Sequence, residues 1–179
     1  MKWCNARSEK AGLTPCYYTT PAQTTPYRTG QLGLDNACVK WTANGFRLPT
    51  EAEWEKAARG GLAGMRYPWG NSLSCTNANY SGCGPNTTTP VNAYTPNGYG
   101  LYDMAGNVFQ WCWDWYDGNW YGNYQAILDD TRGPASGSYR LLRGGGWLYV
   151  AVYLRCAYRR SSAPSYAVDV IGFRCVRGL

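Results

Sequence analysis

The side chains able to do chemistry in this chain are unevenly chosen. Histidine is absent, so the commonest general base is missing, and there is no Gly-x-Ser-x-Gly elbow and no phosphate-cradling glycine loop. Glu51, Glu53 and Glu55 lie two residues apart, which on a helix spreads them over different faces. They read as capping and solvated residues, not as a catalytic carboxylate pair. Eight cysteines, at positions 4, 16, 38, 75, 83, 112, 156 and 175, could do thiol chemistry. No Cys-x-x-Cys pair occurs, and without histidine a structural zinc site is not expected. Two readings of the thiols are open. As disulfides they would place the protein outside the cytosol, with Cys16 and Cys38 stapling a Thr/Pro-rich excursion and Cys75 and Cys83 closing a short loop. Alternatively, several are buried free thiols.

Residues 148–170 carry a different kind of signal. Lys, Glu, Gln, Met and Trp together supply 24 of the 179 residues, yet none occurs in this stretch, and neither does Asn. The residues that do occur outside the apparent scaffold are types reached from an AAC codon by changing its first two bases. No periodicity marks the stretch as helix or strand. Its flanks look rigid: Arg143-Gly144-Gly145-Gly146-Trp147 before it, where a glycine run permits close backbone approach, and Ile171-Gly172-Phe173-Arg174-Cys175 after it.

The elements that must position these residues are few. Residues 3–10 read as the end of a helix closed by Gly12. Residues 14–41 form a polar, hairpin-like excursion. Residues 50–59 form the clearest helix, with a capping box between Thr50 and Glu53 and a Gly60-Gly61 stop. Leu141-Leu142 and residues 173–176 are candidate strands bracketing 148–170. Trp111, Trp113 and Trp115 alternate as on a strand, which makes a core face of two of the three. Stacking on a sugar ring is the functional alternative, although the Glu-Pro-Asn and Gln-Pro-Asp sugar-binding signatures are absent. A chain of 179 residues is long enough for one core. No apolar run of membrane-spanning length occurs. The net charge of +6 is scattered, with Arg159-Arg160 the only adjacent basic pair, so surface and ion-pair roles are expected and a nucleic-acid footprint is not.

Four motifs, in order, resemble the formylglycine-generating-enzyme-type (sulfatase-modifying factor) domain, an α+β, loop-rich variant of the C-type lectin fold. They are the segments beginning at Asn44-Gly45-Phe46-Arg47-Leu48-Pro49, at Tyr67-Pro68-Trp69-Gly70-Asn71 and at Pro96-Asn97-Gly98-Tyr99-Gly100-Leu101, and the ending from Arg143 to Arg174. The ending also resembles the variable proteins of bacterial diversity-generating retroelements, in which adenines of AAC-type codons are randomised. The family domain normally has strands before the segment matched by residues 1–10, so either a domain truncated at its N-terminus or a reduced fold is expected over 1–179. The resemblance pairs Cys4 with Cys175 and leaves Cys112 and Cys156, whose usual partner falls at Ala58. It also implies a structural Ca²⁺ loop using Asp103, Gly106, Val108 and Gln110, with Gln110 standing where the family often has Glu. Hard oxygen donors suit that ion. The family's two catalytic cysteines fall within residues 148–154, where this chain has none, so neither copper nor catalysis is expected.

What the resemblance implies is a ligand-binding display domain whose specificity is set by exposed residues on a fixed scaffold. Alignment to an Asn-rich template assigns the diversified positions to Leu148, Tyr149, Val150, Val152, Tyr153, Tyr158, Arg160, Ser161, Ser162, Ala163, Tyr166, Val168, Asp169 and Val170. Trp147, Leu154, Arg155, Ile171 and Phe173 are then expected to be buried or fixed. Tyrosine and serine suit recognition as they do in antibody loops. The expected partner is a protein or glycan, and the expected protein is a monomer on the outside of a bacterial cell, where a lipid anchor on a segment not among residues 1–179 would fit. The alternatives are a divergent or inactive member of the enzyme family, or an ergothioneine-type or modifying enzyme using other residues.

Overall fold

The computed structural model describes residues 1–128 and 131–178. Local rules account for both helices. Helix α1 (Lys2–Lys10) ends at Ala11, and Gly12 follows in the left-handed region with φ of 68°. Helix α2 (Glu51–Arg59) has the expected cap: Thr50 Oγ1 accepts from the Glu53 backbone N–H, and the Glu53 carboxylate accepts from that of Thr50. It stops at Gly60, left-handed at φ 57°.

The strands are short. β1 (Phe46–Arg47) pairs antiparallel with β6 (Val176–Arg177). The main sheet has the order β4-β3-β2-β5, from β2 (Phe109–Trp115), β3 (Arg140–Arg143), β4 (Arg160–Ser162) and β5 (Ile171–Gly172). β2 runs antiparallel to β3 and parallel to β5, and β4 is an edge strand antiparallel to β3. Strand β3 bears out the expectation at Leu141-Leu142. The C-terminal strand of the sequence reading is instead two pieces, with residues 173–175 outside both.

The register of β2 against β3 slips between Trp111 and Trp115. Simple alternation therefore fails, and Cys112, Trp113 and Asp114 are buried in succession. Trp113 joins one core cluster with Tyr17, Leu34 and Leu48, while Cys112 joins another with Trp54, Met104 and Leu141. Trp111 packs against the first cluster, and Trp115 lies under the Arg140 guanidinium, 3.6 Å from its ring centre. The core reading thus holds for two of the three, Trp111 and Trp113.

The cysteine pairings divide. Cys75 and Cys83 form the expected disulfide. Cys16 and Cys38 do not: both are buried free thiols. The excursion is a hairpin-like turn in which Tyr17 pairs with Val39, so Cys16 lies opposite Lys40 and Tyr18 opposite Cys38. The two sulfurs are out of register by a diagonal step. Cys4 and Cys175 are also free thiols. They share one core cluster. Burial raises the Cys4 pKa to about 11, so it stays protonated. Cys112 and Cys156 are likewise buried thiols.

Candidate ligand-binding surface

The backbone of 148–170 is held from many sides although it has little regular structure. Gly144 and Gly145 turn with φ of 96° and 72°. A Cβ on Gly145 would lie 2.6 Å from Leu154 Cδ1, so only glycine lets the turn sit on that side chain. The turn is zipped to the neighbouring loop by Gly106 N–H to Gly144 O (2.8 Å) and Trp147 N–H to Asn107 O (2.9 Å). Within the stretch, Tyr149 O accepts from Ser81 N–H (3.0 Å), and Cys156 N–H donates to Arg66 O (2.8 Å). Val170 O accepts from Phe109 N–H (2.8 Å).

Arg143 ties the middle down. Its side chain is fully buried, donating to Tyr158 O and Cys156 O at 2.7 Å each and forming ion pairs with Glu55 and, at 3.6 Å, with Glu51. Glu51 also takes two hydrogen bonds from Arg159, at 2.7 and 3.0 Å. Here the sequence reading needs correcting. Glu51 is only 1% exposed, so it is a buried counter-charge and not a solvated helix residue. Arg140 and Arg143 belong to the core and not to the surface. Neither role was legible locally, because each partner comes from a distant part of the chain.

Burial sorts the expected variable positions. Leu148, Val150, Val152, Tyr166 and Asp169 are exposed. Tyr149, Tyr153, Tyr158, Arg160, Ser161, Ser162, Ala163 and Val168 are half-buried. Val170 is a correction: it is 6% exposed, and its backbone anchors the start of β2, so its side chain belongs to the wall. Of the expected scaffold residues, Leu154 is buried and Trp147 and Ile171 are half-buried. Arg155 and Phe173 are exposed. Arg155 is nevertheless tethered by Nε–H to Val152 O (3.0 Å), and Phe173 packs edge-on against Trp3.

The half-buried tyrosines form a ladder that the sequence reading did not contain. Phe109, buried on β2, meets Tyr149 edge-on at 5.0 Å; Tyr149 meets Tyr153 at 5.4 Å, and Tyr153 meets Tyr158 at 5.0 Å. Edge-to-face contacts of this kind hold ring orientation. Arg160 lies over both Phe109 and Tyr149, 5.2 and 4.9 Å from their centres. The rings are packed, but their polar ends are free. Among the described residues, the hydroxyls of Tyr149, Tyr153 and Tyr158 and the nitrogens of Arg160 make no hydrogen bond or ion pair, and none is sealed from solvent.

The loop expected to hold calcium is arranged otherwise. Gln110 Oε1 already accepts from Trp54 Nε1 (2.7 Å) and Arg174 Nε (2.6 Å), so its amide NH₂ points to Asp103 O at 2.6 Å. A donor stands where Ca²⁺ needs a lone pair. The Arg174 guanidinium also donates to Tyr102 O and Asp103 O, bringing positive charge to the same place. One Asp103 carboxylate oxygen accepts from Asn92 N–H (3.0 Å), and Gly106 and Val108 complete the turn. The residues present therefore do not fit calcium. The expected result is one melting temperature with calcium and with chelator for the native chain, and a calcium-dependent rise for Gln110→Glu. A native chain stabilised by calcium would show that the amide turns over to bind it.

Burial raises the Asp114 pKa to about 7, yet this carboxylate caps Glu51 N–H at 2.6 Å inside the core. It is a structural carboxyl. The cavity of about 130 Å³ beside it is lined by Met1, Leu48, Trp111, Cys112, Trp113, Arg140 and Pro164, without Asp114.

Comparison with known proteins fits this geometry. Treponema denticola variable protein 1 superposes with a TM-score of 0.85 over 99% of this chain and 67% of its own, at 36% identity. PvdO from Pseudomonas aeruginosa superposes at 0.65 over 99% of this chain and 77% of its own, at 28% identity. The formylglycine-generating enzyme of Thermomonospora curvata is 43% identical over 158 residues, covering 79% of this chain and 52% of its own length. The serine/threonine-protein kinase pkn1 of Chlamydia pneumoniae is 47% identical over 135 residues, 75% of this chain and 21% of its own. The chain thus spans about a fifth to a half of the length of these curated relatives. Residues 1–179 match the sulfatase-modifying factor enzyme 1-like domain throughout, and the chain belongs to that family, with its loop-rich α+β variant of the C-type lectin fold.

Proposed function

We propose that this chain is a ligand-binding display protein whose residues 148–170 set specificity on a fixed scaffold. One observation carries the reading. The backbone of the stretch is locked by buried groups, above all Arg143, while the polar ends of Tyr149, Tyr153, Tyr158 and Arg160 have no partner among the described residues. Protein structure that is rigid below and uncommitted above suits recognition and adds little to stability. Likeness to a variable protein supports the same view. Residues 148–154 contain no cysteine, which argues against the enzyme family's thiol chemistry. The second reading, an inactive family member, is favoured by a 39% identical bovine relative, the inactive C-alpha-formylglycine-generating enzyme 2. The Cys75–Cys83 bridge supports an extracytoplasmic location. No helix among the described residues is long and apolar enough to cross a membrane.

A library tests this. The assigned positions other than Val170 are randomised with NNC codons, and members are scored for protease resistance and for binding to an unrelated target protein. Most members should remain folded, and binders should emerge. Replacing Tyr149, Tyr153 and Tyr158 together by Ser should abolish selected binding. It should also cost about 0.5–1.5 kcal/mol per lost ring contact beyond the buried area, more than a wholly exposed triple would. General unfolding of the library would make 148–170 ordinary core.

A further inference from the structure

The adjacent arginines divide their labour. Arg159 is committed: it is bonded to Glu51 and to Asp117 O, and lies over Tyr116 and Tyr121. Arg160 is the first residue of edge strand β4; its guanidinium lies over Phe109 and Tyr149 with no ion pair or hydrogen bond among the described residues. Its stem is positioned by the rings, while its planar fork of donors has no acceptor. Three tyrosine O–H groups without partners stand in the same ladder. Such a set is rich in donors, and among the described residues no carboxylate bonds to it. A guanidinium fork pairs best with a carboxylate, in bidentate geometry.

Resting on the display reading, we infer that the ligand is an acidic protein segment that seats an Asp or Glu carboxylate on Arg160 and the neighbouring tyrosine hydroxyls. The flanking side chains point to protein rather than glycan. Leu148 and Val150 are 59% and 54% exposed beside Tyr149 and offer no hydrogen bond to sugar hydroxyls, but they accept an apolar side chain. The ladder also lies outside the open clefts of about 440 Å³ and 560 Å³, which are lined by other residues, and a site outside such concave clefts suits a protein partner better than a small molecule.

The test is selection of a phage-displayed random dodecapeptide library on the full chain and on Arg160→Ser and Arg160→Gln, each first shown to keep its melting temperature. Peptides enriched on the native chain should carry Asp or Glu beside an apolar residue. Their amide twins, with Asn for Asp and Gln for Glu, should bind at least tenfold more weakly. Both Arg160 variants should lose that discrimination, and Leu148→Ser should weaken acidic and amide peptides alike. Equal binding of acidic peptides and their twins, or discrimination that survives in Arg160→Ser, overturns the carboxylate assignment while leaving the display reading intact. Binding of polygalacturonate in place of any peptide, lost with Arg160→Ser, overturns the protein occupant. If no peptide or polyuronate is enriched on the native chain over the triple Tyr-to-Ser variant, the display reading falls as well.

Discussion

Replacing Arg143 with alanine is expected to cost about 3–5 kcal/mol, the usual penalty for breaking a buried ion pair by removing one partner. With a total stability of roughly 5–15 kcal/mol for a domain of this kind, the variant should be unfolded or nearly so in dilute urea. Three losses combine. Glu51, 1% exposed, loses one of its two counter-charges, and Glu55 loses its buried partner. The carbonyls of Cys156 and Tyr158 lose their donors. Trp54 loses the guanidinium over its ring, 5.2 Å from the centre. Arg143→Lys should recover only part, because a point charge cannot serve both carbonyls and both carboxylates at once. Arg160→Ala gives the contrast, with an expected cost under about 1 kcal/mol for a half-exposed side chain without an ion pair. Urea denaturation curves measure all three. An Arg143→Ala protein within 1 kcal/mol of the native chain would mean that the buried network does not hold residues 148–170.

Stability should also fall as pH rises from about 4 to about 7, because of Asp114. Burial raises its pKa to about 7, with the nearby Glu51 charge adding to the effect and the Glu51 backbone N–H and Arg140 opposing it. In the unfolded chain an aspartate titrates near 3.9. Between those values the native state keeps a proton that the unfolded state has released, so each step up in pH favours unfolding. Above about 7 both states are ionised and the contribution levels off. Each pKa unit is worth about 1.4 kcal/mol, which makes the fall a matter of a few kcal/mol. Glu53 has the opposite sign. Burial works to raise its pKa, but Arg47 and the Thr50 backbone hold it below the usual value. Its stabilisation is therefore present above the ordinary glutamate range and lost on acidification below it. Asp114→Asn keeps an acceptor for the Glu51 N–H and should flatten the slope between pH 4 and 7 while leaving the acid limb. A slope unchanged in Asp114→Asn would assign the titration to another group.

The elements legible from sequence are those whose cause is local. Helix α2 needs only Thr50, Glu53 and Gly60, because capping and a left-handed stop act within one turn. The Cys75–Cys83 bridge joins residues only eight apart in sequence. The glycine turn before Trp147 follows from a run of residues without Cβ. Family motifs spread along the chain identified the fold, and codon-like bias marked out residues 148–170.

Tertiary structure decided everything that depends on pairing at a distance. Cys16 and Cys38 flank one excursion in sequence, but hairpin register offsets them by a diagonal step. Arg159 and Arg160 are neighbours of identical type. One is consumed by Glu51, 108 residues away, and the guanidinium of the other has no ion pair or hydrogen bond among the described residues. Gln110 is a plausible calcium ligand by type, yet Trp54 and Arg174 converge on its carbonyl oxygen and turn the amide nitrogen into the loop. Val170 has a residue type open to diversification, but its backbone is bonded to Phe109 and its side chain is buried. Composition names the groups a surface could present. Which of them are already satisfied, and so unavailable to a ligand, is settled only when distant segments bring their donors and acceptors together.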